Sequence, residues 1–300
     1  MAISEERLRA LLKVPNVALL LRGSKTEERS GYRVEYLNFV NCSNEPVRGI
    51  LTRPLSMDSP GAALIYAHAH GGRYDIGASE LTEGRPELLN PLGPVLAHLG
   101  FVTLAIDMPT FGERATQSES AAAKAAFWYG QTLFGKMLGE QAAAITYLSS
   151  RSDVDVARVG MLGMSMGSTL TYWLAAIEPR LAAIAHLCCF ADFATLVETG
   201  AHDRHGFYLS VPGLLAETST GEIGGLVAPR PQLICVGEAD PLTPPVAVDR
   251  ALAQARAAYG EKRAAKALEF FRQSGVGHEE TTEMREVLTR FLKTHLQPGS

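Results

Sequence analysis

Cysteine is scarce in this chain: Cys42, Cys188, Cys189 and Cys235 are the four in 300 residues. None pairs at CxxC spacing, so a disulfide framework and a zinc site are both excluded as expectations. Three of the four sit in apolar, strand-like runs, where a cysteine serves as a small buried hydrophobe. Charge of one sign is also missing. With 28 Lys and Arg against 32 Asp and Glu, the formal charge is −4, and no basic stripe invites nucleic acid. No segment approaches the ~20 apolar residues that cross a bilayer, and "MAISEERLRALLKV" carries charge where a secretory leader has its apolar stretch. The expectation is a cytoplasmic protein with neither a nucleic-acid nor a membrane partner. There is no internal repeat and no low-complexity linker. What remains is an enzyme-sized chain whose partner is a small molecule or a neutral polymer, with homo-oligomerisation left open.

What the chain does have is rhythm. Apolar, β-rich runs recur at 34–40, 47–54, 62–68, 101–107, 158–163, 182–188, 232–237 and 267–272, giving eight expected strands. The first two flank "NCSNEP", a connection short enough for an antiparallel hairpin. The later ones are continuous apolar runs, as expected of strands covered on both faces. Between them lie helical stretches such as "LFGKMLGEQAAAITYLSS" and "PVAVDRALAQARAAYG". Near the C-terminus Met284, Val287, Leu288, Phe291 and Leu292 recur at i, i+3, i+4, i+7 and i+8, one apolar stripe. Strand and helix in alternation predict an α/β fold, a mostly parallel sheet with helices on both faces. Residues 190–229 break the rhythm and read as a lid or cap-like excursion, and residues 1–30 as an N-terminal helical segment.

One stretch carries chemistry. In "VGMLGMSMGSTLTYWLA", Gly163-Met164-Ser165-Met166-Gly167 matches Gly-x-Ser-x-Gly at a change from strand-like to helix-like pattern. A serine hydroxyl needs a histidine base and an orienting carboxylate to act as a nucleophile near neutral pH. Downstream, Asp240 follows "QLICVG" and His278 follows "ALEFFR", each just past a strand candidate. The order Ser165, Asp240, His278 is the one a strand-turn-helix elbow scaffold uses. The oxyanion needs two backbone N–H groups. Met166, after the serine, supplies one, and the loop "HAHGG" supplies the other at or near His70, with Gly71 and Gly72 shaping the turn.

Together the blocks "HAHGG", "DMPTFGER", "GMSMGS", "APRPQLICVGEADPLTP" and "GVGHEE" resemble the serine hydrolases of the α/β-hydrolase superfamily, over roughly residues 30 to 295. Within it they resemble the dienelactone-hydrolase-like and acetyl-xylan-esterase-like branch. The resemblance implies a single α/β-hydrolase domain over 1–300 and a carboxylic-ester hydrolase that works through an acyl-enzyme without cofactor or metal. Two departures stand out. Relatives often have glycine where this chain has Ala69, and dienelactone hydrolases use a cysteine nucleophile where this elbow has Ser165.

Other residues compete for roles. Asp192, after the sixth strand, rivals Asp240 as the acid. His68 and His70 fit structural roles in the oxyanion loop, and Asp107 fits that of a loop anchor. His202 and His205 in "HDRH" lack a third ligand and fit solvated or substrate-lining positions better than a metal site. Gly71, Phe207, Tyr208 and Leu214 are the candidate substrate contacts. The short excursion over the site suits short acyl groups. The same three catalytic groups also serve a peptidase, an amidase or an acyltransferase, and the fold also hosts non-catalytic binding modules.

Overall fold

The structure, a computed structural model, describes residues 3–297. Residues 1–2 of the expected N-terminal segment and 298–300 of the expected domain lie outside the described residues. In chain order the elements are α1 (Glu5–Leu12), β1 (Leu19–Arg29), β2 (Tyr32–Asn41), β3 (Pro46–Pro54), β4 (Gly61–Ala67), α2 (Glu80–Glu83), α3 (Leu92–His98), β5 (Val102–Ile106), α4 (Glu119–Trp128), α5 (Leu133–Ser149), β6 (Val154–Met164), α6 (Met166–Ala175), β7 (Ala183–Leu187), α7 (Phe193–Thr199), α8 (Thr220–Gly225), β8 (Gln232–Gly237), α9 (Pro245–Glu261), β9 (Leu268–Gln273) and α10 (Thr282–Leu296). Among the described residues the sheet has nine strands, in the order β1-β2-β3-β5-β4-β6-β7-β8-β9. The pairs from β1 through β3 to β5 are antiparallel, and those from β5 onward are parallel.

The expected count of eight is therefore corrected to nine, and the helical reading of 1–30 holds only for Glu5–Leu12. The remainder is β1, paired antiparallel with β2 from Leu19↔Asn41 to Arg29↔Tyr32. A two-residue turn at Ser30 and Gly31 joins them, and Gly31 takes a positive φ of 86°, which glycine adopts without strain. The strand is "LLLRGSKTEER", mostly exposed and highly charged, with a register shift between Leu21 and Gly23. It sits at the edge of the sheet, so it lacks the two-sided burial that makes the inner strands legible as apolar runs.

Alternation along the inner strands feeds two cores on opposite faces. Ala63, Ile65 and Ala67 of β4 pack toward α1, α5, α6 and α9, whereas Ala62, Leu64 and Tyr66 pack toward α2, α3 and α10. The stripe of α10 closes the second core with Met284, Leu288, Phe291 and Leu292, all buried, and Thr281 caps the helix by accepting from Met284 N at 3.2 Å. Chain order and sheet order diverge around β4, which lies between β5 and β6. Ligand crevices in such sheets form outside the carboxyl ends of the strands near a reversal of this kind.

Candidate active site

Ser165 stands between the end of β6 and the start of α6, with φ 57° and ψ −116°. Positive φ strains a residue with a side chain, at a cost of about 1–3 kcal/mol, so its surroundings must hold it there. Ser165 N–H donates to Leu187 O at 2.9 Å, and Ser165 O accepts from Thr169 N at 3.1 Å. The flanking glycines are needed because the turn is tight. A Cβ on Gly167 would lie 1.9 Å from Ala67 O, and one on Gly163 would lie 2.4 Å from the backbone carbon of Gly167. Both obstacles are backbone and cannot swing aside. Gly167→Ala is therefore expected to lower stability by about 3 kcal/mol, the upper end for overpacking. Urea unfolding checks this, and an unchanged midpoint contradicts it.

Asp240 and His278 leave the ends of β8 and β9 and meet: His278 Nδ1 lies 2.7 Å from Asp240 Oδ2. Asp240 is 2% exposed. Its Oδ1 accepts from Leu242 N at 2.8 Å, and its Oδ2 also accepts from Thr243 Oγ1 at 3.0 Å. A carboxylate with these partners has no proton to give, so His278 Nδ1 donates and Nε2 is left as the basic nitrogen. The loop carrying His278 is itself anchored. Glu280, buried, pairs with Arg285, accepts from Leu89 N and donates its own N–H to Glu87 O. No hydrogen bond joins the Ser165 hydroxyl to His278 among the described residues; such contacts are often long without substrate and tighten with it.

Asp192 is not placed to serve His278. Its Oδ1 caps α7, accepting from Thr195 N at 2.9 Å and Thr195 Oγ1 at 2.8 Å, with Arg250 Nε at 3.4 Å. The cysteines offer no rival nucleophile, since burial pushes the Cys188 thiol well up and that of Cys189 to about 12. All four cysteines are free, and Cys42 is the exposed one.

The loop after β4 is fastened from several sides. Ala69 N–H donates to both oxygens of Glu80, a buried carboxylate that also accepts from Tyr66 and pairs with Arg85. Gly71 has φ 51°, and a Cβ there would lie 1.9 Å from the Arg85 guanidinium. Gly72 N–H donates to His70 Nδ1 at 3.0 Å, and Arg73 N–H to His70 O at 3.0 Å. With Ala69, Gly72 and Arg73 committed, the N–H groups of His70 and Gly71 are those this loop can offer an oxyanion, beside Met166 N–H at the start of α6. His68 stays neutral because burial lowers its pKa. Its Nδ1 bonds Ala69 O at 3.0 Å while Nε2 accepts from Met108 N at 3.2 Å. Asp107, fully buried, ties Arg48, Ala78 N and Glu113 N together and so anchors the neighbouring loops.

The 190–229 excursion is built of α7, α8 and single turns of 3-10 helix at 201–204, 207–209 and 214–216. Beneath it lies a cavity of about 320 Å³, walled by Trp173, Phe193, His205, Phe207, Val211 and Leu214 among others. His205 links this cavity to the acid loop: its Nε2 bonds Leu242 O at 3.0 Å, and burial holds its pKa below the usual histidine value. Phe207 and Leu214 thus face the cavity. Tyr208 turns inward, 3% exposed, and stacks on the His70 ring at 5.7 Å. Among the described residues there is no group of three or more His, Cys, Asp or Glu that could hold a metal ion, and no helix is long and apolar enough to cross a membrane.

Glu80, Glu119 and Glu280 were invisible as site residues in the sequence. Each is a charged residue in an unremarkable local pattern, and their partners reach across as many as 191 positions of sequence.

Comparison with known proteins follows the same lines. Residues 90–189 match the dienelactone hydrolase family model. Over 273 residues the chain is 38% identical to YtaP of Bacillus subtilis (strain 168), provisionally named a hydrolase, with 91% of each chain covered. Among solved structures, a glucuronoyl esterase from Solibacter usitatus superimposes with a TM-score of 0.70 at 13% identity, covering 97% of this chain and 91% of that one. Acetyl Xylan Esterase 1 from Thermoanaerobacterium sp. JW/SL YS485 does so with a TM-score of 0.62 at 16% identity, covering 99% and 92%. At such identities the structural likeness bears on the fold, which is that of the α/β-hydrolases.

Proposed function

The chain belongs to the dienelactone hydrolase family, and from that premise we propose that it is a serine carboxylesterase for small or short-acyl carboxylic esters. His278 Nε2 takes the proton of the Ser165 hydroxyl as its oxygen attacks the ester carbonyl. Asp240 holds the imidazole in the required tautomer and stabilises the imidazolium that forms. The N–H groups of Met166 and of His70 or Gly71 receive the oxyanion. Collapse of the tetrahedral intermediate expels the alcohol, protonated by His278, and leaves an acyl-serine. Water, deprotonated by the same histidine, then releases the acid and restores the hydroxyl.

The observation that carries this reading is the 2.7 Å bond from His278 to a buried Asp240, on the loops after β9 and β8. In chain order these two residues follow a serine held at positive φ in a glycine-flanked turn. Substrate size is inferred from the 190–229 excursion. Its mostly apolar cavity of about 320 Å³, at the small end of ligand pockets, is lined by the excursion and Trp173 and not by Ser165, Asp240 or His278, and it meets the acid loop through His205. A cavity of this size beside the acid loop supports a short acyl or small aryl group. The two structural neighbours cited above are, by name, a glucuronoyl esterase and an acetyl xylan esterase.

Two measurements test the proposal. A fluorophosphonate probe should label the folded protein once, on the peptide containing Ser165. Labelling elsewhere, or none, rejects the nucleophile. Across p-nitrophenyl acetate, butyrate, octanoate and palmitate, kcat/KM should be highest for the short chains, and a clear preference for palmitate contradicts the cavity argument. Leu214→Trp, which fills the cavity, should lower kcat/KM for octanoate about tenfold relative to acetate, the scale on which apolar pockets discriminate by size.

A further inference from the structure

One buried carboxylate joins the oxyanion loop to the lid. Glu119 is the first residue of α4, and 3% of its surface is exposed. Its Oε2 lies 2.5 Å from His70 Nε2, while its Oε1 accepts from Tyr208 N–H at 2.9 Å. The direction of the first bond is fixed by the other side of the ring. Gly72 N–H can only donate, so His70 Nδ1 accepts and Nε2 carries the proton. The His70 ring is then clasped between Tyr208, Phe111 and Tyr74, with ring centroids at 5.7, 5.1 and 5.1 Å. The lid comes down closely because residue 206 is glycine: a Cβ there would lie 2.8 Å from His70 Nε2 and 2.7 Å from the Tyr208 ring.

Building on the esterase reading, we propose that Glu119 is a positioning residue for the oxyanion hole. It seats the lid at Tyr208 and the oxyanion loop at His70 on the two oxygens of a single carboxylate. Closing the lid and orienting the His70 N–H are therefore one event. An amide in its place cannot serve both donors, since it offers one oxygen and one NH₂, and one of the two N–H donors would meet another donor.

That asymmetry supplies the test. Wild type, Glu119→Gln and Glu119→Asp are assayed for kcat and KM on p-nitrophenyl acetate and for inhibition by butylboronic acid. The boronate forms a tetrahedral adduct with an active-site serine and places an oxygen in the oxyanion hole. Glu119→Gln should lower kcat about tenfold to a hundredfold, somewhat less than outright removal of an oxyanion donor, with KM within about threefold. The boronate Ki should rise by the same factor as kcat falls. Glu119→Asp, which keeps two acceptor oxygens, should recover part of both. Should Glu119→Gln not fold, His70→Asn carries the test, because its amide oxygen can still accept from Gly72 N–H in an Asx turn but cannot reach Glu119. It should show the same paired loss in kcat and Ki.

Unchanged kcat and Ki in the folded variants overturn the positioning role, as does a fall in thermal stability with both constants intact. Failure of the esterase reading looks different: the boronate then does not inhibit the wild type, or turnover survives Ser165→Ala.

Discussion

Ser165→Ala is expected to lower kcat on p-nitrophenyl acetate by about four to six orders of magnitude, the range for loss of a serine nucleophile acting with its base, while the thermal midpoint should move little. The size of the loss follows from the lack of a substitute. Cys188 and Cys189 lie close in sequence to the end of β7, but burial raises their thiols far from the range in which a thiolate forms near neutral pH. Stability is spared because the turn is held by Ser165 N–H, by Ser165 O and by the flanking glycines, none of which the substitution touches. The residual rate is that of substrate held against the oxyanion N–H groups, on the order of 10³–10⁴ above water in comparable enzymes. Steady-state kinetics beside a circular-dichroism melt checks both halves. A folded variant that keeps near wild-type turnover ends the serine mechanism.

Asp240→Asn is expected to cost about 10⁴ in kcat, for a reason set by its other hydrogen bonds. Leu242 N–H points at Oδ1, so the asparagine oxygen is held there and its NH₂ is turned toward His278 Nδ1. To accept that bond the imidazole must move its proton to Nε2, the nitrogen that has to be free as base. The same change at Asp192 is the control. It caps α7 and bonds Thr195 and Arg250, so Asp192→Asn should leave kcat within about threefold, as befits a cap worth ~1 kcal/mol to local stability. A large loss at Asp192 with a small one at Asp240 would reverse the assignment of the acid. Measuring kcat for both folded variants on one substrate decides it.

Legibility in the sequence tracked burial on two faces. The runs "AALIYAH", "RVGMLG" and "QLICVG" are strands within a residue or a few of where their apolar pattern places them, because each is covered on both sides and carries no charged residue inside its ends. Ser165, Asp240 and His278 read as residues just after such strands, and that is where the structure places them. The supports were not legible. Glu80, Glu119 and Glu280 are 0%, 3% and 4% exposed, yet a glutamate in "ASELTEG", "SESAAAK" or "GHEETTE" reads as a solvated side chain. Their burial depends on Arg85, His70 and Arg285, and Glu119 and His70 are 49 positions apart in the chain. The 190–229 excursion was legible as a break in rhythm. Its 3-10 turns carry no period that would have fixed which side chains face inward, so Tyr208 could not be told from Phe207.

Strand β1 was missed for a related reason. Its charges, its register shift and its exposure hide it from any search for apolar alternation, and those same properties suit a strand with one neighbour and a free flank. A border strand plain enough to be recognised from its sequence would be recognised by other chains as well, each offering its own backbone to continue the sheet. What hid β1 in the sequence is what blunts this edge of the sheet against further strands.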